Sequence, residues 1–213
     1  IMMGTHQDIT SRKLNEEKIK LNEARLESLV RISQHTFETN QQLLDYALAE
    51  AIELTKSTLG YIYLYNSEKK EFTLNTWSKE VMHQCTVNKP QTIYALEKTG
   101  IWGEAVRQGK PIMLNDFQSP NPLKKGLPEG HAPLHKFLTI PIISNNDIVA
   151  VIGVANKRTD YDDSDIRQLN LMMHTVWKQV ERQRSQEILR ENEEKLLMNE
   201  KHLQELIDRK SVV

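Results

Sequence analysis

The chain has 213 residues with 28 Lys plus Arg against 29 Asp plus Glu, a net charge of −1, enough for one domain with extensions or two small domains. This balanced, intermixed charge offers no footprint for nucleic acid and no charged tail for a polyanion. No apolar run reaches the ~18 residues that span a bilayer, "IMMGTHQDIT" lacks the order of a signal peptide, and one cysteine, Cys85, excludes an intrachain disulfide framework; the expected setting is cytoplasmic, compatible with a membrane anchor elsewhere in a longer protein.

Residues 11–37 contain no Gly or Pro, and Leu14, Leu21, Leu26, Leu29, Val30 and Phe37 are separated by charged residues, which predicts an amphipathic helix. Its early turns are too polar to fold alone, so a second helix is expected beside them. "TNQQLLDYALAEAIELTKS" predicts a helix capped by Thr39 or Asn40, with Leu43, Leu44, Ala47, Leu48, Ala51, Ile52 and Leu54 on a broad apolar face. "GYIYLYN" and "EFTLNTWS" read as a hairpin around "SEKK". "GIWGEAVRQGK" reads as a short helix closed by Gly109, and "PIMLND" as a strand. "KFLTIPII" and "IVAVIGVANK" read as a second hairpin joined by "SNND".

Between Gln118 and about Lys136 runs a long connection that includes "NPLKKGLPEGH" and "HAPLH". Connections of that length in a compact domain are functional or disordered. The element order fits an α+β fold, a central antiparallel sheet of five or six strands with helices on one face.

From Asp163 no helix breaker occurs until about Lys210, a helix on the order of 70 Å at ~1.5 Å per residue. Ile166, Leu169, Met173, Val176 and Val180 keep helical spacing, and Leu189, Leu196 and Leu203 repeat every seven residues, with Leu206 or Ile207 on the same seam. With eight basic and eight acidic residues between Lys178 and Lys210, this predicts a dimeric coiled coil with a charged exterior. Asn192 and Asn199 weaken the seam, and the step from Val180 to Leu189 breaks the heptad as a stutter that unwinds the supercoil.

The stretches "GYIYLYN", "GIWGEAVRQGKPIMLNDF", "KKGLPEGH", "FLTIPI" and "IVAVIGVANKRTDYDDSD" together resemble a GAF domain, a small-molecule sensing module of bacterial and archaeal sensor kinases. The flank "GTHQDITSRKLNEEKIKL" resembles the last strand of a PAS domain running into its exit helix, and "LRENEEKLLMNEKHLQELID" the helical lead into another PAS or kinase module. The implied organisation is the end of a PAS-like domain at 1–10, an N-terminal signalling helix at 11–37, a GAF sensor domain at 38–162 and a C-terminal signalling helix or coiled coil at 163–213. The implied partners are a small-molecule ligand, a second copy through the terminal helices, and flanking PAS or kinase domains of a two-component sensor histidine kinase.

"NKRTDYDDSD" also resembles the Asn-Lys…Phe…Asp-Glu signature of cyclic-nucleotide GAF domains. Asn156, Lys157 and Asp165 match, Tyr161 replaces the Phe, and Ile166 stands at the Glu position. Lys157 at a strand end can pair with Asp165 in the first turn of the last helix, where an acidic residue suits the helix N-terminus. Asn156, Lys157, Tyr161 and Asp165 are therefore expected to form a structural clamp rather than a ligand contact.

Nothing points to catalysis within the chain, which lacks a P-loop, a Rossmann glycine motif and a G-x-S-x-G elbow. His174 lies in an apolar helical stretch, His202 on the coiled coil, and His6 and His35 away from the expected pocket. Binding has more material. The resemblance implies a pocket between the sheet and the loops, framed by the segment around Cys85, the helix at Trp102 and the long loop. Cys and His hold iron in haem proteins, and some sensor GAF domains bind tetrapyrroles. The resulting expectation is haem or another tetrapyrrole, with Cys85 as anchor or thiolate ligand, His131 as axial ligand to the iron, His135 as its substitute, and Trp77, Tyr94, Trp102 and Leu138 as apolar walls. Three other readings stand beside it. His83, Cys85, His131 and His135 would make a zinc site. Cys85 would act as a redox thiol near Lys79 and Lys89. The domain would be a ligand-free dimerisation spacer, with Cys85 a small buried hydrophobe.

Overall fold

The computed structural model describes residues 9–78, 92–124 and 132–211. The chain divides into two compact units, Ile1–Val176 and Trp177–Val213. The division falls inside the last helix.

Helix α1 (Ile9–Gln34) runs through the charged segment predicted to be helical. Helix α2 (Asn40–Thr55) starts where Thr39 accepts a hydrogen bond from Gln42 N on its Oγ1. It ends with Lys56 left-handed at φ 54, while Lys56 N and Ser57 N donate to Glu53 O and Ile52 O, the bonds that close a helix C-terminus. Leu43, Leu44, Ala47, Leu48 and Ala51 are its buried face. α1 packs on α2; Ile32 is fully buried, and Arg31 Nη2 lies 2.9 Å from Glu50 Oε2.

Six strands follow: β1 (Leu59–Asn66), β2 (Glu71–Trp77), β3 (Ile93–Ala95), β4 (Ile112–Leu114), β5 (Phe137–Ser144) and β6 (Asp147–Ala155). They form one sheet in the order β3-β2-β1-β6-β5-β4, with every pair antiparallel. Both predicted hairpins are present. The β5–β6 turn places Asn145 and Asn146 at φ 51 and 68, the left-handed pair that a two-residue hairpin demands and that Asn tolerates. β3 is the strand absent from the sequence reading. Its three residues are too short to show alternation, and it exists because the edge of β2 pairs it, Glu71 opposite Ala95 and Thr73 opposite Ile93.

The pleat sorts side chains to two faces. Gly60 and Ile62 face α2; a Cβ on Gly60 would stand 2.9 Å from Leu48 Cδ1. Tyr61 and Tyr63 face the other side, against a run of short helices: two 3-10 turns (Leu96–Lys98 and Ile101–Gly103) and α3 (Glu104–Gln108), which Gly109 ends at φ 61. The expectation of helices on one face thus holds for α2, while the short α3 covers the opposite face.

Helix α4 (Asp163–Ser211) is continuous over the predicted span. Its first turns lie beside β5, where Pro141, Ile142, Ile143, Asn170, Met173 and His174 line a groove of about 220 Å³. In the second unit Arg184 stacks over the Trp177 ring at 5.5 Å, and Ile188, Leu189, Leu196 and Leu197 are exposed. Among the described residues no helix is long and apolar enough to cross a membrane.

Candidate functional site: an aromatic face between the sheet and α3

Alternation on β1 puts Tyr61 and Tyr63 side by side on the face away from α2. β2 adds Phe72, Leu74 and Trp77, and β3 adds Tyr94. Trp102, from the second 3-10 turn, lies over them. It stacks on Tyr63 at 4.9 Å between ring centroids, tilts on Phe72 at 4.7 Å, and meets Tyr94 edge-on at 5.6 Å. Offset and edge-to-face contacts of this kind each add about 0.5–1.5 kcal/mol beyond the area buried. Tyr61 meets Trp102 at 6.3 Å, and its hydroxyl donates to Thr139 Oγ1 at 3.2 Å. Burial pushes the Tyr61 and Tyr63 phenols well above the ordinary tyrosine range, so both keep their protons and present O–H dipoles on an uncharged surface.

Trp102 is held from behind by Arg107. Its Nε donates to Glu104, Nη1 to Leu96 O and Thr99 Oγ1, and Nη2 to Thr99 O and Gly100 O. Four of these bonds hold the irregular segment at Leu96, Thr99 and Gly100, and the fifth ties Arg107 to Glu104 within α3. Gly103 lets that segment close. A Cβ there would fall 1.8 Å from Thr99 Oγ1.

The long connection is ordered at both feet. Asp116 accepts hydrogen bonds from Gln118 N and from Ser119 N and Oγ, and the Ser119 hydroxyl first, then these amides, holds its carboxyl below the usual range. The Lys124 ammonium donates to Phe117 O and Ser119 O and sits over the Phe117 ring. The two limbs are tied to each other, Phe117 N donating to His135 O at 2.7 Å and Gln118 Nε2 to Leu134 O at 2.8 Å. Phe117, Leu123, Ala132 and Leu134 pack with Ile101, Phe137 and Trp102. The feet of the loop therefore belong to the same apolar wall as the aromatic cluster.

Of the residues singled out from sequence, Trp77, Tyr94 and Trp102 come together here. Cys85 and His131 lie outside the described residues, as do His83, Lys79 and Lys89. Leu138 is a correction. It is fully buried, but it pairs with Val154, which pairs with Gly60 on the α2 face. One step along a strand reverses the face, so Phe137 supplies the wall expected of Leu138. His135 has an exposed side chain, and its backbone is held on both sides, N to Asn156 Oδ1 and O to Phe117 N.

Three of the four residues expected to form a clamp, Lys157, Tyr161 and Asp165, lie together, whereas the Asn156 side chain bonds His135 N and Pro133 O instead. Lys157 Nζ lies 2.8 and 2.6 Å from the two Asp165 oxygens. Asp165 is 4% exposed and also accepts from Asp162 N at 3.0 Å. Asp162 in turn caps α4 through Ser164 N and Asp165 N. Tyr161 is buried under the Lys157 ammonium, with its hydroxyl 2.7 Å from Ser57 Oγ, and burial raises that phenol to about 12.

Sequence reasoning missed Tyr63, Phe72 and Arg107. The alternation Tyr61, Tyr63, Tyr65 was the available signal for the first, since it marks one face of one strand as aromatic. Among the described residues there is no group of three or more His, Cys, Asp or Glu arranged to hold a metal ion.

Residues 38–181 match the GAF domain family. The chain is 41% identical over 189 residues to the methyl sulfide methyltransferase-associated sensor of Methanosarcina acetivorans, covering 89% of this chain and 19% of that protein. In fold it is similar to the GAF domain of a phosphoenolpyruvate-protein phosphotransferase from Coxiella burnetii (TM-score 0.61, 18% identity, 76% of this chain and 95% of that one). It is also similar to the free methionine-R-sulfoxide reductase of Neisseria meningitidis in complex with its substrate (TM-score 0.61, 15% identity, 78% and 90%).

Proposed function

The chain belongs to the GAF domain family, and from that premise we propose that it is the ligand-sensing part of a longer signal-transduction protein. The observation that carries the reading is the aromatic face. Tyr61, Tyr63, Phe72, Trp77, Tyr94 and Trp102 converge on it, and Leu123 and Ala132 pack into its wall. Apolar and aromatic lining with a few polar groups is the usual character of a small-molecule site.

The finer proposal is haem or a related tetrapyrrole, attached through Cys85 and ligated by His131. The described walls are apolar and aromatic, as a tetrapyrrole would need, but Trp102 packs directly on Tyr63 and Phe72 and would have to move to admit it; the two donors lie outside the described residues. When bound, such a group would supply iron that takes up a diatomic gas or changes redox state. The chain's own residues would exclude water and hold the ring edge. The module acts as a sensor rather than a catalyst on this reading, and catalysis belongs to a kinase portion of a longer chain. A second copy pairs through α1 and α4, whose Leu26, Leu189 and Leu196 are exposed.

The position of Trp102, within 5 Å or so of Tyr63 and Phe72, favours a second reading, a face already filled by its own side chains and serving as a dimerisation spacer. Mass spectrometry of the purified protein for a co-purified small molecule, followed by haemin titration, separates the two. A Soret band that weakens in Cys85→Ala and His131→Ala is expected. An absent band, or one unchanged in both variants, removes the haem proposal.

A further inference from the structure

We propose that Asn115 and Asn156 are paired joints through which the aromatic face controls the start of α4, a regulatory route that rests on the sensing role proposed above. Each carboxamide bridges two chain segments by holding one N–H and one C=O. Asn115, just after β4, accepts from Tyr161 N at 2.7 Å and donates to Tyr161 O at 2.9 Å. Asn156, just after β6, accepts from His135 N at 2.8 Å and donates to Pro133 O at 2.8 Å. Because each side chain meets a donor on one side and an acceptor on the other, both amide orientations are determined by their partners.

The geometry joins both feet of the long connection to one short stretch, residues 156–162, between β6 and α4. Lys136 adds to it, with Nζ 2.7 Å from Asp160 Oδ1 and bonded to Arg158 O. From this stretch Lys157 grips Asp165 in the first turn of α4, and Tyr161 reaches Ser57, which bonds Thr55 at the end of α2. On the other side, the same feet carry Phe117 and Leu134, which pack with Trp102. A displacement at the aromatic face therefore moves backbone that is hydrogen-bonded to the α4 linker, without passing through the sheet. Asn156 sits at φ 61, where Gly is equally suited, so Asn156→Gly removes the carboxamide and keeps the backbone. Asn115→Ala removes the other joint.

The test uses the whole chain and amide hydrogen exchange over 163–170. Trp102→Leu perturbs the aromatic face, and in the parent background it is expected to raise exchange there about fivefold. In the Asn115→Ala/Asn156→Gly background the same change is expected to alter exchange less than about twofold relative to that background. An equal fold-change in both backgrounds, or none in the parent, overturns the proposal. If a Trp102→Leu chain loses its near-ultraviolet circular dichroism, Phe117→Leu in the same two backgrounds decides. Haemin provides a separate arm. A Soret band with unchanged exchange over 163–170 defeats the coupling and leaves the haem site standing. No band defeats the haem site and leaves the coupling to the side-chain arms.

Discussion

The Tyr61 ring lies flat across Gly153 on the neighbouring strand, so that a Cβ on Gly153 would fall 2.2 Å from the phenol Cζ. Tyr61, Gly153 and Thr139 form one row across β1, β6 and β5, and the absent side chain in the middle lets the hydroxyl reach Thr139. Gly153→Ala is expected to displace the ring into Trp102 and destabilise the fold by about 1–3 kcal/mol, the cost of overpacking. Urea unfolding measures it. Gly109→Ala is the comparison, because a Cβ there meets nothing within 4 Å and only the φ of 61 is strained, at about 1 kcal/mol. Equal losses in the two variants would mean that the Tyr61 contact is not what Gly153 serves.

Arg107 makes its fork-shaped set of bonds to Leu96, Thr99, Gly100 and Glu104. A lysine has one ammonium and cannot span these positions. Arg107→Lys is expected to cost about 1–3 kcal/mol and to raise hydrogen exchange over residues 96–103, with a change in Trp102 fluorescence. Exchange rising equally across the whole sheet would instead indicate general loss of stability.

Lys157 and Asp165 are both largely buried, their side chains 14% and 6% exposed. Removing one partner leaves a desolvated charge, so Asp165→Asn and Lys157→Met are each expected to destabilise by about 2–4 kcal/mol. Lys157→Met/Asp165→Asn together is expected to cost clearly less than the sum. Thermal unfolding of the double-mutant cycle reads the coupling, and strict additivity would show the pair to be energetically independent.

Burial by itself would raise the Glu50 carboxyl, but Arg31 first, then the neighbouring Ser28 and Tyr46 hydroxyls, outweigh it and hold the group below its ordinary value of 4.5. A carboxyl depressed in the folded state contributes stability above its unfolded value, and that contribution is lost as pH falls through the folded one. Arg31 is half-exposed, which keeps the contribution to about 1 kcal/mol. Glu50→Gln is therefore expected to be less stable at neutral pH by about this amount, with the difference shrinking below about pH 4. A difference constant across that range would assign the loss to shape rather than charge.

Much of the fold was legible because it rests on local chemistry. The Thr39 cap, the Gly109 stop, the Asn145–Asn146 turn and the lengths of β1, β5 and β6 follow from dihedral preference and from side-chain spacing within a few residues. The pairing of Lys157 with Asp165 spans eight residues across one turn between two readable elements, so it too was within reach. The aromatic site was legible only in part. Trp77, Tyr94 and Trp102 were recognisable as wall material, but Leu138 was assigned to the wrong face and Phe137 overlooked, since a strand's side is set by register against its neighbours and one residue reverses it. β3 depended on the edge that β2 offers. The carboxamide joints of Asn115 and Asn156 reach 46 residues forward to Tyr161 and 21 back to His135. The local signature marked Asn156 but not its partners, and nothing local marks Asn115, because the partners are backbone groups that every residue carries, and only the folded chain decides which of them arrive within hydrogen-bonding distance.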